Sequence, residues 1–167
     1  MSSNSLDIVI GAGSAIGRAL IERWSGECAR PILAVARSAD SLAVIEQLGV
    51  QTHQCDYSEA ALAALAIQLQ EQSADISRLV ICNGVLQGEG YRPERALNQL
   101  KTSAMEQVFK INTFMPMRVL ALMTPVLKRC AAPRIAVLSA RVGSIGDNSL
   151  GGWSSYRASK AALNMML

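Results

Sequence analysis

The sequence has little histidine and no clustered cysteine, which narrows the chemistry open to it. His53 is the only histidine, so these residues supply neither a histidine-rich metal site nor a Ser-His-Asp triad. The four cysteines are scattered and form no Cys-x-x-Cys pair: Cys28, Cys55, Cys82 and Cys130. We therefore expect no metal site and no disulfide, but buried free thiols in a protein of the reducing cytoplasm.

Charged residues and long apolar runs are also scarce. Only 17% of the residues are charged, the net charge is +3, and Lys and Arg form no long run, so we expect no nucleic acid partner. No apolar stretch approaches the roughly 18 residues that a membrane helix needs. The start, Met-Ser-Ser-Asn-Ser-Leu-Asp, lacks the basic region of a secretion signal. These absences predict a cytoplasmic protein without a membrane partner.

The sequence is rich in apolar residues, and these occur in short runs. Half of its 167 residues are apolar, enough for one domain with a sizeable core. Strand-like runs at 6–10, 31–35, 50–55, 79–82 and 134–138 alternate with helix-like segments at 18–24, 39–48, 58–72 and 105–130, and a last helix carries Tyr156 and Lys160. We expect Pro116 and Pro125 to disturb the long helix. The alternation predicts an α/β fold with a doubly wound, Rossmann-like parallel sheet, in one domain over 1–167.

Polar or glycine residues follow all five predicted strands, and the carboxyl ends of parallel strands share one edge of a sheet. These residues are Gly11 to Gly17, Arg37, Asp56, Asn83 and Ser139. Because ligands of such sheets bind at that edge, the sequence predicts a ligand site there.

Tyr156 and Lys160 carry the most specific chemical signal. They are four residues apart, which on a helix places both side chains on one face. A phenol has a pKa of about 10, and an adjacent ammonium lowers it. The pair can then exchange a proton with a carbonyl oxygen or an alcohol near neutral pH. The alternative is a solvated surface pair.

The turn after the first strand has the composition of a nucleotide-binding loop. It opens a helix and consists of Gly11, Ala12, Gly13, Ser14, Ala15, Ile16 and Gly17. Glycines allow a phosphate to approach the backbone, and a helix N-terminus offers it N–H groups. Because the spacing departs from Gly-x-Gly-x-x-Gly, an ordinary strand-to-helix turn is the alternative.

Residues after the second and third strands bear on which dinucleotide binds. Arg37 and Ser38 stand where a carboxylate would hold the ribose of NAD. A guanidinium there suits a 2′-phosphate, so NADP(H) is favoured over NAD(H); a surface arginine is the alternative. Asp56 can accept a hydrogen bond from adenine, cap the next helix, or do both.

Two asparagines complete the candidates. Asn83 and Gly84 line a ribose or simply form a turn. Asn112 lies in an apolar helix, where its amide must find a partner. That partner is backbone or water in a structural role, or a proton path towards Lys160.

In this order the motifs resemble the short-chain dehydrogenase/reductase family, and Arg141 to Lys160 is similar to its sniffer-like and C-factor-like carbonyl reductases. The resemblance implies that Tyr156 is the general acid, that Lys160 lowers its pKa and holds the nicotinamide ribose, and that Asn112 completes the relay. It assigns Ser139 to the substrate carbonyl. The implied cofactor contacts are Gly11, Gly13, Ser14, Ala15, Ile16, Gly17, Arg37, Ser38, Asp56, Tyr57, Asn83, Gly84, Tyr156 and Lys160.

The sequence departs from the family pattern at several positions. Ile10 replaces a threonine, Ala15 replaces the middle turn glycine, and Ile81-Cys82 precede Asn83-Gly84. Ala140 stands where the catalytic serine hydroxyl usually belongs, which leaves Ser139 or Ser144 as substitutes. Losing one such donor can cost about 10²–10³ in rate.

The chain ends seven residues after Lys160, whereas family members continue with further strands and a lid. We expect a C-terminally truncated domain with an open edge at the fifth strand, and a homodimer or homotetramer formed through helices 105–130 and 153–167. The first hypothesis is an NADP-dependent oxidoreductase acting on a small carbonyl or alcohol. The alternatives are a cofactor-binding sensor or signalling protein with little catalysis, and an inactive fragment.

Overall fold

The computed structural model describes residues 5–27, 30–149 and 151–167. Cys28 and the first four residues, on which part of the argument against a secretion signal rested, lie outside these ranges. Across the described ranges, no helix has both the length and the apolar character needed to cross a bilayer.

The centre of the fold is a five-stranded sheet in the order β3-β2-β1-β4-β5. Every pairing in it is parallel. The strands are β1 (Ser5–Ile10), β2 (Ile32–Ala36), β3 (Gln51–Gln54), β4 (Asp75–Ile81) and β5 (Arg134–Val137). The predicted α/β, Rossmann-like fold is confirmed, because all five predicted strands are present and run in one direction.

Six α-helices accompany the strands. They are α1 (Ala15–Glu27), α2 (Ala39–Glu46), α3 (Glu59–Glu71), α4 (Thr102–Phe109), α5 (Met115–Leu127) and α6 (Ser154–Met166). Helix α1 begins three residues before its predicted start, because the Ser14 hydroxyl accepts a hydrogen bond from the Gly17 N–H group and caps it. The prediction that Ser38 caps α2 is confirmed, since its side chain accepts from the Ser41 N–H group.

The core lies in the sheet, where the middle strands are apolar on both faces. All five residues of β2 are buried, as are the last four of β1. This is the pattern of strands that helices cover on either side. Asp7 is the one charged residue among these buried strand residues. Arg30 and Arg78 pair with its carboxylate, which offsets the cost of burying the charge.

The prediction of a single helix over 105–130 is wrong. Helix α4 ends at Phe109, a π-helical segment follows at Lys110–Phe114, and α5 begins at Met115. Within the π segment the Met115 N–H group donates to the Lys110 carbonyl, five residues back. Pro116 has no N–H group, so it cannot donate the usual helical hydrogen bond to the Asn112 carbonyl. The helical hydrogen bonds therefore span five residues instead of four at this position. Pro125 lies inside α5 without ending it.

The chain divides into two compact units. One extends up to Cys82 and includes Val119–Val137, and it contains the whole sheet with α1 to α3. The other consists of Asn83–Arg118 and Leu138–Leu167, and it contains α4, the π segment and α6. The glycine turn therefore belongs to the first unit and Tyr156 to the second. The single-domain organisation stays a prediction.

Candidate active site

Asn112 is the most constrained polar residue of the second unit. It is fully buried in the π segment. Its Oδ1 accepts a hydrogen bond from the Val85 N–H group at 2.7 Å, and its Nδ2 donates to the Val85 carbonyl at 2.9 Å. The same Nδ2 donates to Ser159 Oγ at 3.0 Å. The predicted need for a partner is thus met by one backbone unit and by helix α6.

The next residue of the π segment holds the same turn of α6. Thr113 Oγ1 donates to the Ser159 carbonyl at 2.8 Å. Ser159 Oγ in turn donates to the Tyr156 carbonyl at 2.7 Å. Two adjacent side chains of the π segment therefore fix the stretch of helix between Tyr156 and Lys160.

Lys160 is a buried cation with a backbone partner. Only 2% of it is exposed, and its Nζ donates to the Leu138 carbonyl at 2.8 Å. Burial lowers the pKa of this ammonium. Gly143 packs so closely that a Cβ there would lie 2.8 Å from the Lys160 Cβ. A Cβ on Gly84 would lie 3.4 Å from the Lys160 Nζ and 3.6 Å from the Asn112 Oδ1, so Gly84 adjoins both functional groups.

Tyr156 is half-buried, and its ring meets the Trp153 ring edge-on with centroids 6.4 Å apart. Among the described residues none forms a hydrogen bond with its hydroxyl. Burial raises the pKa of the phenol. Among the described residues no hydrogen bond joins the phenol to Lys160, and the lowering of its pKa by Lys160 stays a prediction.

Ser139 is turned to a different part of α6. It is exposed, and its Oγ donates to the Asn164 Oδ1 at 2.5 Å, two helical turns beyond Tyr156. The hydroxyl of Ser144, the other candidate, accepts from the Asp147 N–H group at 3.2 Å. Neither hydroxyl is bonded to Tyr156 among the described contacts, and the assignment of Ser139 or Ser144 to the substrate carbonyl stays a prediction.

Glu94 is a buried residue at the start of α6 whose contacts the sequence reasoning missed. Only 5% of it is exposed, and its Oε2 accepts from the Ser155 N–H group at 3.3 Å while its Oε1 accepts from the Ser155 hydroxyl. Its carbonyl accepts from the Trp153 N–H group at 2.6 Å. Trp153 has a φ of 50° and supplies no side-chain cap, so the Glu94 carboxylate takes that role and lies at the positive end of the helix. No local signal reveals this, since 61 residues separate Glu94 from Ser155.

The glycine turn of the first unit has the geometry of a phosphate loop. Gly11 has a φ of 83°, and Ser14 Oγ donates to its carbonyl at 2.8 Å while accepting from the Gly17 N–H group at 3.1 Å. A Cβ on Gly17 would lie 2.5 Å from the Gly11 carbonyl oxygen, so only glycine fits. Gly13, Ala15 and Ile16 are exposed, and the first N–H groups of α1 have no partner within the helix.

Arg37 and Ser38 follow β2 in the same unit. The Arg37 side chain is exposed and has no ion pair with the residues that the structure describes. Its carbonyl accepts from Gln54 Nε2 at 3.1 Å. The free guanidinium is therefore available to an anion.

Asp56 and Tyr57 follow β3. Asp56 Oδ1 accepts from the Ser58 N–H group at 2.8 Å, and this bond lowers the pKa of the carboxyl group. The alternative that Asp56 caps α3 is wrong, because Ser58 does so by accepting from the Ala61 N–H group. Tyr57 donates its hydroxyl proton to the Val35 carbonyl at 3.1 Å.

In each unit taken by itself, these residues fit a part of a dinucleotide. The turn offers unpaired N–H groups and no side chain at Gly17, and Arg37 offers a free cation. Asn83 Oδ1 is buried and has no hydrogen-bond partner among the described residues, which leaves an acceptor for a ligand hydroxyl. Within the described ranges no three His, Cys, Asp or Glu side chains cluster as metal ligands would.

Comparison with models of protein families shows to which family the chain belongs. The model of the family described as "short chain dehydrogenase" matches residues 7–167, nearly the whole chain. The chain belongs to the short-chain dehydrogenase family. Members of this family are oxidoreductases that bind a nicotinamide cofactor and act on small molecules.

Two curated short-chain dehydrogenase relatives are similar in sequence. A 1-hydroxy-2-glutathionyl-2-methyl-3-butene dehydrogenase of Rhodococcus sp. (strain AD45) is 32% identical over 109 residues, which are 65% of this chain and 45% of that protein. The C-signal protein of Myxococcus xanthus is 43% identical over 70 residues, 42% of each chain. The chain thus spans less than half of the length of the curated relatives it matches.

Solved structures confirm the short-chain dehydrogenase fold. The carbonyl reductase Sniffer of D. melanogaster superposes with a TM-score of 0.82 at 20% identity, over 98% of this chain and 72% of that one. The family motif residues that the structure brings together in the second unit are Gly84, Asn112 and Lys160. The assignment of individual residues to catalysis and cofactor binding stays a prediction.

Glu94→Gln should destabilise the protein by about 1–3 kcal/mol, because the amide cannot accept both hydrogen bonds from Ser155. Urea unfolding of the variant would measure this loss. Glu106→Gln, at an exposed site in α4, is the matched control and should change the free energy of unfolding little. In Ser155→Ala the cost of Glu94→Gln should shrink, whereas additive effects would contradict the assigned contact.

The phenol of Tyr156 should titrate above the usual value of about 10 in the ligand-free protein, because burial favours its neutral form. The difference in phenolate absorbance between the wild type and Tyr156→Phe, followed with pH, isolates this group. Since the folded pKa is the higher one, its stabilising contribution is complete below pH 10 and is lost as pH rises further. A midpoint below 10 would show that the Lys160 charge outweighs burial.

Proposed function

We propose that this chain is an NADP-dependent oxidoreductase that reduces a carbonyl or oxidises an alcohol, with Tyr156 as general acid and base. The observation that carries the proposal is the pair of hydrogen bonds that Asn112 and Thr113 donate to Ser159. It fixes the turn of α6 between Tyr156 and Lys160, while the phenol hydroxyl has no hydrogen-bond partner among the residues that the structure describes. A positioned but unbonded acid is what proton transfer to a substrate needs.

The bound nicotinamide would supply the hydride in this reaction. Tyr156 donates its proton to the carbonyl oxygen of the substrate, and the raised pKa keeps the phenol protonated at neutral pH. The same shift disfavours the phenolate, which is the form that alcohol oxidation requires.

Lys160 has a second role in the proposal. An ammonium carries three N–H donors, and the Leu138 carbonyl uses one of them. The others are available to the ribose hydroxyls of the cofactor. Because Gly84 has no side chain, it leaves the space beside Nζ open.

The preference for NADP(H) over NAD(H) rests on Arg37. The guanidinium is exposed and unpaired among the described residues, and no carboxylate stands at 36–38 to bind a ribose diol. Ser38 Oγ is already used as the cap of α2, so Arg37 is the charged partner for a 2′-phosphate. Asp56 and Tyr57 remain the proposed contacts of the adenosine part.

Tyr156→Phe should lower turnover of a carbonyl substrate by at least about 100-fold while leaving NADPH affinity within about twofold, since the ring stays and only the proton is lost. Oxidation of NADPH by a panel of aldehydes and ketones, followed by absorbance, provides the measurement. Lys160→Met should also reduce turnover, whereas Lys128→Met, at an exposed site after α5, should not. Full turnover in Tyr156→Phe would refute the proposed acid.

Arg37→Ala should weaken NADPH binding by about tenfold or more and leave NADH binding unchanged, because a charge-assisted bond contributes about 1.5–3 kcal/mol. Calorimetric titration with both cofactors gives the two affinities. Arg23→Ala removes an exposed arginine of α1 that pairs with Glu27, and it serves as control. Equal losses for both cofactors would reject the assignment to the 2′-phosphate.

A cofactor-binding signalling protein with little catalysis is the second candidate. It is favoured by Ala140, which lacks the usual catalytic hydroxyl, and by the hydrogen bond that ties Ser139 to Asn164. The similarity of 70 residues to a protein named C-signal points the same way. This candidate expects NADPH affinity without oxidation by the carbonyl panel, and ordinary turnover would exclude it.

The substrate class can be narrowed through the other relative. That relative is named as a dehydrogenase of a hydroxylated glutathionyl compound, so glutathione-conjugated alcohols belong in the substrate panel. We further propose that the chain forms a homodimer or homotetramer. Phe114, Met165 and Met166 support this, with 53%, 81% and 51% of their surfaces exposed.

A further inference from the structure

The segment before α4 borders an open cavity that no predicted site residue lines. Its volume is about 800 Å³, and all of its lining residues come from the stretch 87–104 of the second unit. Sites for small molecules occupy about 300–1,000 Å³. The cavity therefore has room for an organic ligand.

Three cationic side chains line this cavity: Arg92, Arg95 and Lys101. All three are exposed, and none forms an ion pair with another residue in the described ranges. Cations that share a cavity repel one another, so an anion bound among them lowers their energy.

Among the described lining residues Glu94 is the one carboxylate, and its hydrogen bonds direct it away from these cations. It is 5% exposed, and both of its carboxylate oxygens accept hydrogen bonds from Ser155. The lining thus carries three positive charges and one negative charge, and the negative one is directed at helix α6.

Uncharged side chains of the cavity lining also offer hydrogen-bond donors, which suit a ligand that carries hydrogen-bond acceptors. The Gln99 Oε1 accepts from the Arg95 N–H group at 2.8 Å, which leaves the amide N–H₂ of Gln99 as a donor. The Tyr91 ring lies so close to Gly88 that a Cβ there would be 2.5 Å from it, which fixes this wall of the cavity.

We propose that the cavity binds a small organic anion, a phosphate ester or a carboxylate, with Arg92, Arg95 and Lys101 as its charge partners. A planar guanidinium binds both groups in the same bidentate way, so the two share one chemistry. The proposal does not depend on the oxidoreductase reaction, because it concerns binding to the chain without cofactor.

Calorimetric titrations of the full chain with glycerol 3-phosphate and with succinate, at constant ionic strength, test the proposal. At least one of them should bind, and the one that binds identifies the anionic group. Arg92→Gln combined with Arg95→Gln should weaken that binding at least tenfold. Lys101→Gln should weaken it as well, whereas Lys128→Gln, at an exposed lysine outside the cavity, should leave it unchanged.

Arg37→Gln separates this cavity from the glycine turn of the first unit, which also attracts phosphates. Affinity kept in Arg37→Gln and lost in the Arg92/Arg95 variant supports the proposal. The reverse pattern overturns it, as does the absence of binding of both anions to the wild type. Equal binding of uncharged glycerol would also overturn it, and circular dichroism checks that each variant is folded.

Discussion

The buried amide of Asn112 is the constraint on which the structure of the second unit depends. A polar group without contact to water must have all of its hydrogen bonds made within the protein, and this one binds the backbone of Val85 and the hydroxyl of Ser159. Pro116 widens the helix at this position, which places Asn112 and Thr113 side by side against one turn of α6. The Tyr156 and Lys160 side chains project from that turn.

Tyr156 and Lys160 are both held partly out of water, and desolvation moves their pKa values in opposite directions. Each shift favours the neutral form of its group. The phenol is thereby kept as an acid, and the ammonium, stabilised by the Leu138 carbonyl, remains a hydrogen-bond donor. Helix α6 owes its start to Glu94, so a residue outside every motif contributes to the placement of this pair.

The fold could be predicted from the sequence because short apolar strands alternate with capped helices, and each signal is local. The glycine turn, the Ser38 cap and the Tyr156–Lys160 spacing were visible for the same reason. The sequence did not reveal contacts between residues that are far apart along the chain. Neither the link from Glu94 to Ser155 nor the contact of Ser139 with Asn164 leaves a trace in the spacing of residues. The π segment was missed because a proline shows that a helix is disturbed and does not show how.

The central claim is that this chain transfers hydride to a carbonyl, and isotope tracing tests it most directly. NADPH carrying deuterium at both positions of the transferring carbon of its nicotinamide would be incubated with the purified chain and a panel of carbonyl compounds. Mass spectrometry of the alcohols should then find one deuterium on the former carbonyl carbon. Cofactor binding without any deuterated alcohol would contradict the oxidoreductase account and favour a protein that senses the cofactor.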